Sequence, residues 1–384
     1  MIEIAFGLSL AALAYCYLGY PLLVWVMARL FPREVRRARY EPRVAIVIAA
    51  YNEAARIGRK LDNCLALDYP RGKLRIVVAS DGSDDETNSI VATFAHDRVT
   101  LLAFPQRRGK AACLNEAVAT CDEEIVVLTD ARQRIDTQAI RHLIENFSDS
   151  MIGAVSGELV FETDGMTAFG EGVDAYWRYE KFIRLQESRW HSVVGVTGAL
   201  YALRRSHFVG IPDDTILDDV VIPMNVVMAG RRVILDGRAR AYDFPSRDPL
   251  HERLRKVRTL AGNYQLIGSH PEFFIPFRNP VFFQLVSHKV LRLLGPFLLG
   301  LLMVSNLLLL RQSREYQVFL GIQSFCYALA VAGIIWPRAC RWKPVKFANT
   351  FLLLNWFAVL GLAEFLRNRK AHMWKSQKLG ELKP

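Results

Sequence analysis

From Ile4 to Ala28 no charged residue interrupts the chain, a run longer than the roughly 20 apolar residues that cross hydrocarbon. Three more runs of this kind are legible, at Leu293 to Leu310, Tyr316 to Trp336 and Phe347 to Leu366. The molecule must therefore divide into a first transmembrane helix, a soluble block and a second membrane zone. A cleaved signal peptide fits the first run poorly, since Glu3 stands where a basic leader belongs, the apolar core is long and no small-residue cleavage site follows. Arg29, Arg33, Arg36, Arg37, Arg39 and Arg43 flank that first helix, as the positive-inside rule expects on a cytoplasmic side. The soluble block is accordingly expected in the cytoplasm and the protein in the cell's inner membrane as a multi-pass protein. Arg367, Arg369, Lys370, Lys375 and Lys378 pull the C-terminal tail toward the same side, which three spans would not allow, so the side of the tail stays open.

The expected boundaries are 1–30 for the first span, 42–248 for the soluble domain, 249–292 for amphipathic interfacial helices, 293–367 for about three spans, and 368–384 for a basic tail. The interfacial reading rests on "VFFQLVSHKVLRLLGP", which mixes apolar residues with His288, Lys289 and Arg292. A 52% hydrophobic, 23% charged chain of 384 residues is not disordered. Its net charge of +11 suits phosphate-bearing substrates, anionic lipid or nucleic acid, and the basic cluster beside a span favours the bilayer over nucleic acid. The six cysteines show no CxxC and no Cys/His ligand spacing, so neither a zinc site nor a disulfide frame is indicated.

Within the soluble block, "VAIVIAAYN" (44–52), "RIVVASDGS" (75–83), "VTLLAFP" (99–105), "EIVVLTD" (124–130) and "GAVSGELVF" (153–161) read as strands. Several are continuously apolar, as parallel strands buried on both faces are. Glu53 to Leu67 and Asp84 to Phe94 have helical periodicity between them. The expectation is a doubly wound, mostly parallel α/β sheet flanked by transmembrane α-helices, with ligands outside the carboxyl ends of the strands.

Polar groups cluster at those ends: Tyr51, Asn52 and Glu53 after the first strand, Asp81 after the second, Asp130 after the fourth. Each has a plain alternative. Ser83 with Glu86 reads as a capping box that only starts a helix. "RRGKAACLNEAV" puts Gly109 and Lys110 at a helix mouth, where free N–H groups and an ammonium favour phosphate, though a solvated basic turn would look the same and the glycine spacing is not that of a P-loop. Asp218 and Asp219 open an apolar helix, where complementing its dipole is the plain alternative.

The ordered series "AAYNEA", "VVASDGSDDET", "RRGKAACLNEA", "VVLTDA", "VTGALYALRR", "LDDV" and "RKVRT", over residues 42 to 265 and followed by spans, resembles the membrane-embedded family-2 glycosyltransferases, such as hyaluronan, chitin, poly-N-acetylglucosamine and cellulose synthases. The resemblance implies a GT-A-like form of the α/β fold and an inverting hexosyl or N-acetylhexosaminyl transfer from a nucleotide-sugar donor, most often UDP-linked, to a growing polysaccharide or lipid-linked glycan. It implies Asp219 as catalytic base, and Tyr51, Asn52, Glu53, Asp81, Lys110, Asp130 and Arg258 around the nucleotide-sugar. Gly198, Asp218 and Trp190 are assigned to the acceptor, and Asp130 to a divalent metal, Mg2+ or Mn2+. The phospholipid bilayer is a partner, nucleic acid is not, and oligomerisation stays open.

Two departures qualify this. The second carboxylate of the family's metal motif is Arg132 here. Magnesium needs only one or two carboxylates beside phosphates and water, so Asp130 suffices if Arg132 turns aside, touches phosphate or pairs with a surface acid. The tryptophan of the family's QxxRW motif, which stacks under the acceptor sugar, is Thr259, and this opens a single-addition transferase on a polyprenyl-diphosphate-linked acceptor as an alternative. Trp177 and Trp190 offer substitute sugar platforms, although such residues more often serve core or interface packing. A transporter or inactive export scaffold is the reading from another class, and the scarcity of ionisable residues in the spans, mainly Glu364 near an end, counts against it. A hydrolase lacks its GxSxG elbow or HExxH pair.

Overall fold

The computed structural model describes residues 1–95, 98–162, 168–244, 249–368 and Met373. Arg369, Lys370, Lys375 and Lys378 of the expected basic tail lie outside the described residues. In chain order the elements are α1 (Ile2–Leu30), β1 (Val44–Ala50), α2 (Ala54–Leu65), β2 (Leu74–Asp81), α3 (Thr87–Thr93), β3 (Val99–Phe104), α4 (Lys110–Ala119), β4 (Ile125–Asp130), β5 (Arg134–Ile135), α5 (Ala139–Glu145), β6 (Ile152–Phe161), α6 (Ala168–Trp190), β7 (Tyr201–Arg204), α7 (Asp218–Met228), β8 (Arg232–Asp243), α8 (Pro249–Ser269), α9 (Phe282–Leu309), α10 (Arg314–Ile335) and α11 (Lys343–Arg367).

The strands form one mixed, mostly parallel sheet in the order β3-β2-β1-β4-β7-β6-β8-β5. Strands β1, β2, β3 and β4 pair in parallel, and the continuous apolar runs of β1, β2 and β4 are buried on both faces. Alternate side chains of β1 go to opposite sides: Ala45, Val47 and Ala49 join one core cluster, Val44, Ile46 and Ile48 the other. From β1 the chain winds outward through β2 and β3, then returns to place β4 on β1's other edge. That reversal opens a crevice at the carboxyl ends of β1 and β4, and register sets Ala49 beside Asp130. Beyond it, β7 runs antiparallel to β4 with Tyr201 opposite Leu128, and β6 pairs in parallel with the twelve-residue β8.

Four helices, α1, α9, α10 and α11, are long and apolar enough to cross a membrane. The stretch expected as an interfacial amphipathic helix running into a span forms the opening of α9, which continues from Phe282 to Leu309. Its Gln284 and His288 are buried, and His288 bonds Glu180 and Glu187 of α6 through its two ring nitrogens at 2.9 and 2.8 Å. Partners within the protein thus satisfy the His288 ring of that face. Each of α1 and α9 contains a π-turn, at Tyr15–Gly19 and Val286–Val290, and the two meet where Tyr15 Oη and Ser287 Oγ lie 2.8 Å apart. Such turns rotate side chains out of the regular helical stripe. On the far side α11 packs on α8, with Tyr264 and Phe365 stacked at 6.5 Å between ring centres.

Candidate active site

The loops after β1 and β2 are sewn together. Asn52 adopts φ 53°, a left-handed conformation that asparagine tolerates. Its N–H donates to Ser83 Oγ at 3.1 Å, its side-chain amide donates to Asp84 Oδ1 at 2.5 Å, and its Oδ1 accepts from the Asp84 N–H at 3.0 Å. The expected Ser83–Glu86 capping box is therefore not what starts α3. Ser83 serves Asn52, and Asp85 Oδ1 takes the Thr87 N–H at 2.9 Å. Glu53 lies next to Arg56, at 3.1 Å. Burial raises the pKa of its carboxyl against the pull of Arg56, with Asp130 adding to the rise. The Arg107 guanidinium stacks 3.9 Å over the Tyr51 ring.

Asp81, assigned by the resemblance to the nucleoside, is fully buried. Its carboxylate accepts the N–H groups of Arg108 at 2.6 Å and Gly109 at 3.0 Å. It thus shapes the turn that carries Lys110 into α4, a turn needing φ +102° at Gly109, where a side chain would be strained.

Lys110 is the hinge of the cluster. Its ammonium lies 3.0 Å from Asp130 Oδ1 and 3.1 Å from Asp218 Oδ2. Burial works against its charge, but Asp130, Asp218 and Asp219 outweigh burial and hold it protonated above the usual lysine range. Asp219, half-buried on the first turn of α7, faces Gly198, where an added Cβ would lie 3.5 Å from Asp219 Oδ2. Burial, then the neighbouring Asp218, pushes its carboxyl up to about 6, against Lys110 and Lys289. Arg258, on α8, is drawn down by burial while Asp218, Asp219 and Asp130 pull the other way. Four of the expected residues, with Asp130 and Gly198, thus share one electrostatic neighbourhood at the sheet's switch point.

A cavity of about 200 Å³ opens beneath Asp219, lined among others by Trp177, Arg184, Gly198, Thr259 and Lys289. Thr259, where the resembling synthases carry tryptophan, is on its wall. Trp190 is not. Its ring meets Phe283 edge-on at 6.3 Å and packs with Tyr20, Val24 and Ile183, so its sugar-platform role gives way to packing between α6 and α1. The two tryptophans are thirteen positions apart on one helix, and the sequence does not say which of them faces α1.

Arg132 turns away from Asp130 and pairs with Asp243, which also accepts from Gln133 Nε2 at 3.0 Å. That acid is buried rather than on the surface. Sequence reasoning also missed Tyr201: it is buried, its hydroxyl has no hydrogen-bond partner among the described residues, and burial with Asp218, Asp219 and Asp130 raises its pKa well above normal. Its position in "VTGALY", two residues past the glycine–alanine pair, was the available signal.

Among the described residues no three His, Cys, Asp or Glu side chains gather as a metal cluster. Asp130 is a single carboxylate with about 40% of its side chain exposed, enough for an ion that brings most of its oxygen ligands with a diphosphate.

A doubly wound sheet with carboxylates and cations at its switch point defines the class. The family model for glycosyl transferase family 2 matches residues 45–210, and this part of the chain is a glycosyltransferase family 2 domain of GT-A-like fold. Among solved structures, the chain is similar to mannosyltransferase PcManGT from Pyrobaculum calidifontis in complex with GDP-Man and Mn2+, with a TM-score of 0.71 and 25% identity over 96% of this chain and 99% of that one. The poly-beta-1,6-N-acetyl-D-glucosamine synthase of Staphylococcus aureus is 25% identical over 195 residues, 50% of this chain and 47% of the relative. That of Staphylococcus epidermidis is 34% identical over 117 residues, 30% of this chain and 28% of the relative. The chain spans about half the length of the curated relatives it matches.

Proposed function

We propose that the protein is an inverting glycosyltransferase that moves a sugar from a nucleoside-diphosphate sugar to a glycan or lipid-linked glycan, at the cytoplasmic face of the inner membrane. The observation that carries the reading is Asp219: a carboxyl pushed up to about 6 by burial and Asp218, facing a cavity and a residue without a side chain. A base so poised matches neutral operation. It takes the acceptor hydroxyl's proton as that oxygen bonds to the anomeric carbon in line, the bond from that carbon to the diphosphate oxygen breaks, and the nucleoside diphosphate leaves with the electron pair. Lys110 and Arg258 receive the charge that develops on the leaving group. Asp130 would hold a divalent ion, Mg2+ or Mn2+, whose chemistry is to neutralise the diphosphate. The mannosyltransferase similarity, with its GDP-Man and Mn2+, supports a nucleotide-sugar and a metal, and it sets a guanosine donor beside the uridine donor implied by the synthase resemblance.

Single addition is the preferred mode, because Thr259 rather than an aromatic ring stands at the cavity. Similarity to the poly-N-acetylglucosamine synthases favours a second, processive reading. Full-length protein in lipid nanodiscs, given labelled UDP- and GDP-sugars with membrane extract as acceptor, should add one sugar with inverted configuration. A ladder of long products establishes the processive reading, and full turnover by Asp219→Asn removes the proposed base.

A further inference from the structure

The cavity beneath Asp219 has a second charged wall that the donor does not use. Arg184 of α6 and Lys289 of α9 both line it. Arg184 Nη2 donates to two uncharged oxygens, Ser156 Oγ at 3.1 Å and the Gly195 carbonyl at 3.2 Å. Lys289 makes no hydrogen bond or ion pair among the described residues, and it stands close enough to Arg184 for the two charges to repel. Burial pulls the Arg184 pKa down.

The acids on the same wall make their hydrogen bonds elsewhere, although Glu187 Oε2 has no hydrogen-bond partner among the described residues. Glu187 accepts from the Tyr20 hydroxyl at 2.5 Å and meets His288 Nδ1 at 2.8 Å. Glu180 meets His288 Nε2 at 2.9 Å and pairs with Arg292. Asp219 and Glu187 both attract the two cations across space, but neither forms a hydrogen bond or ion pair with Lys289 among the described residues, so its ammonium has no direct partner at the cavity. A buried ammonium with no direct partner is stabilised by an anion that supplies one.

We propose that Arg184 and Lys289 bind a phosphate or diphosphate group borne by the acceptor, so that a hydroxyl attached to it reaches Asp219. The hydroxyl's role rests on the transfer reaction proposed above; the anion site does not. Lys289 lies near the start of α9, one of the four helices able to cross a membrane, and this is the level at which a lipid's phosphate would enter.

The test uses full-length protein in detergent micelles and calorimetric titration with farnesyl phosphate, farnesol and inorganic phosphate, with UDP and GDP as controls for the donor side. Farnesyl phosphate should bind and farnesol should not. Lys289→Met should weaken binding roughly ten- to hundredfold, the size of a lost charge-assisted hydrogen bond, Lys289→Arg should restore most of it, and Arg184→Gln should weaken it similarly. Nucleotide binding unchanged within about twofold shows that a variant is folded. Inorganic phosphate binding as tightly as farnesyl phosphate assigns the site to a soluble phosphorylated acceptor, and much weaker binding assigns it to a lipid. The proposal is overturned if farnesol binds as well as its phosphate, or if a folded Lys289→Met variant binds farnesyl phosphate like the parent. Should neither nucleotide bind the unaltered protein, the transfer reading fails while the phosphate result stands on its own.

Discussion

Replacing Asp219 by asparagine should make the protein more stable while abolishing transfer. In the folded state burial and Asp218 push this carboxyl from 3.8 to about 6, so the fold must strip a proton that the unfolded chain gives up readily. The distance between those values corresponds to roughly 3 kcal/mol of destabilisation at pH 8. The attraction of Lys110 and Lys289 is already inside that net value, so the ceiling is not raised by their loss. An acid with a raised folded-state pKa penalises the fold above that pKa. The penalty fades as pH falls through about 6 and is gone below 3.8, and the advantage of the asparagine variant must follow the same course. At about 2–4 °C per kcal/mol for a domain of this size, thermal unfolding in detergent, read by tryptophan fluorescence, should show Asp219→Asn melting several degrees above the parent at pH 8 and level with it near pH 3.5. A variant that melts lower at pH 8, or whose advantage ignores pH, refutes the claim that Asp219 is a base whose pKa the fold has raised.

Gly198→Ala adds a Cβ 3.5 Å from Asp219 Oδ2, an ordinary contact, so melting should hold while kcat falls at least about tenfold because the carbon fills the acceptor's approach. Gly157→Ala sets its Cβ 2.7 Å from the Ala239 carbonyl oxygen and should instead lose about 1–3 kcal/mol of stability, which melting curves separate from an effect on rate. Arg132→Met strands the buried Asp243 charge and should cost about 3 kcal/mol, part of it recovered in the Arg132→Met/Asp243→Asn double variant. Exhaustive chelation should stop transfer and added Mn2+ or Mg2+ restore it; turnover untouched by chelation removes Asp130 from metal binding.

Local pattern carried most of the architecture. The continuous apolar runs ending at Asn52, Asp81 and Asp130 point to parallel strands because such sheets are covered on both faces, and a charge-free run such as Ile4 to Ala28 has few folded alternatives. What stayed hidden depended on partners distant in the chain. Arg132 could be resolved only by Asp243, at the far end of β8, a strand whose polar alternation around "DGRARAYD" disguised it. The face of α9 bearing His288 looked interfacial because its acidic partners lie more than a hundred residues earlier, on α6. Ser83 and Glu86 had the spacing of a capping box, yet the tertiary demand of Asn52 claimed the serine first. In each case the side chain's chemistry was legible, and the identity of the group that satisfied it was not.

The three acids at the switch point differ in role because one lysine cannot serve them equally. Lys110 touches Asp130 and Asp218 directly, while Asp219 feels it only across space and has its carboxyl pushed up by burial and by Asp218, which leaves Asp219 as the member suited to accept a proton. A diphosphate entering this cluster competes for the same ammonium. Under the proposed transfer, Lys110 would turn toward the phosphate and Asp130 would be freed to hold a divalent ion, whose two charges offset those of the diphosphate. The net field at Asp219 would then change little on donor binding, and its readiness to take the acceptor's proton would come from what the fold supplies, burial and the neighbouring Asp218.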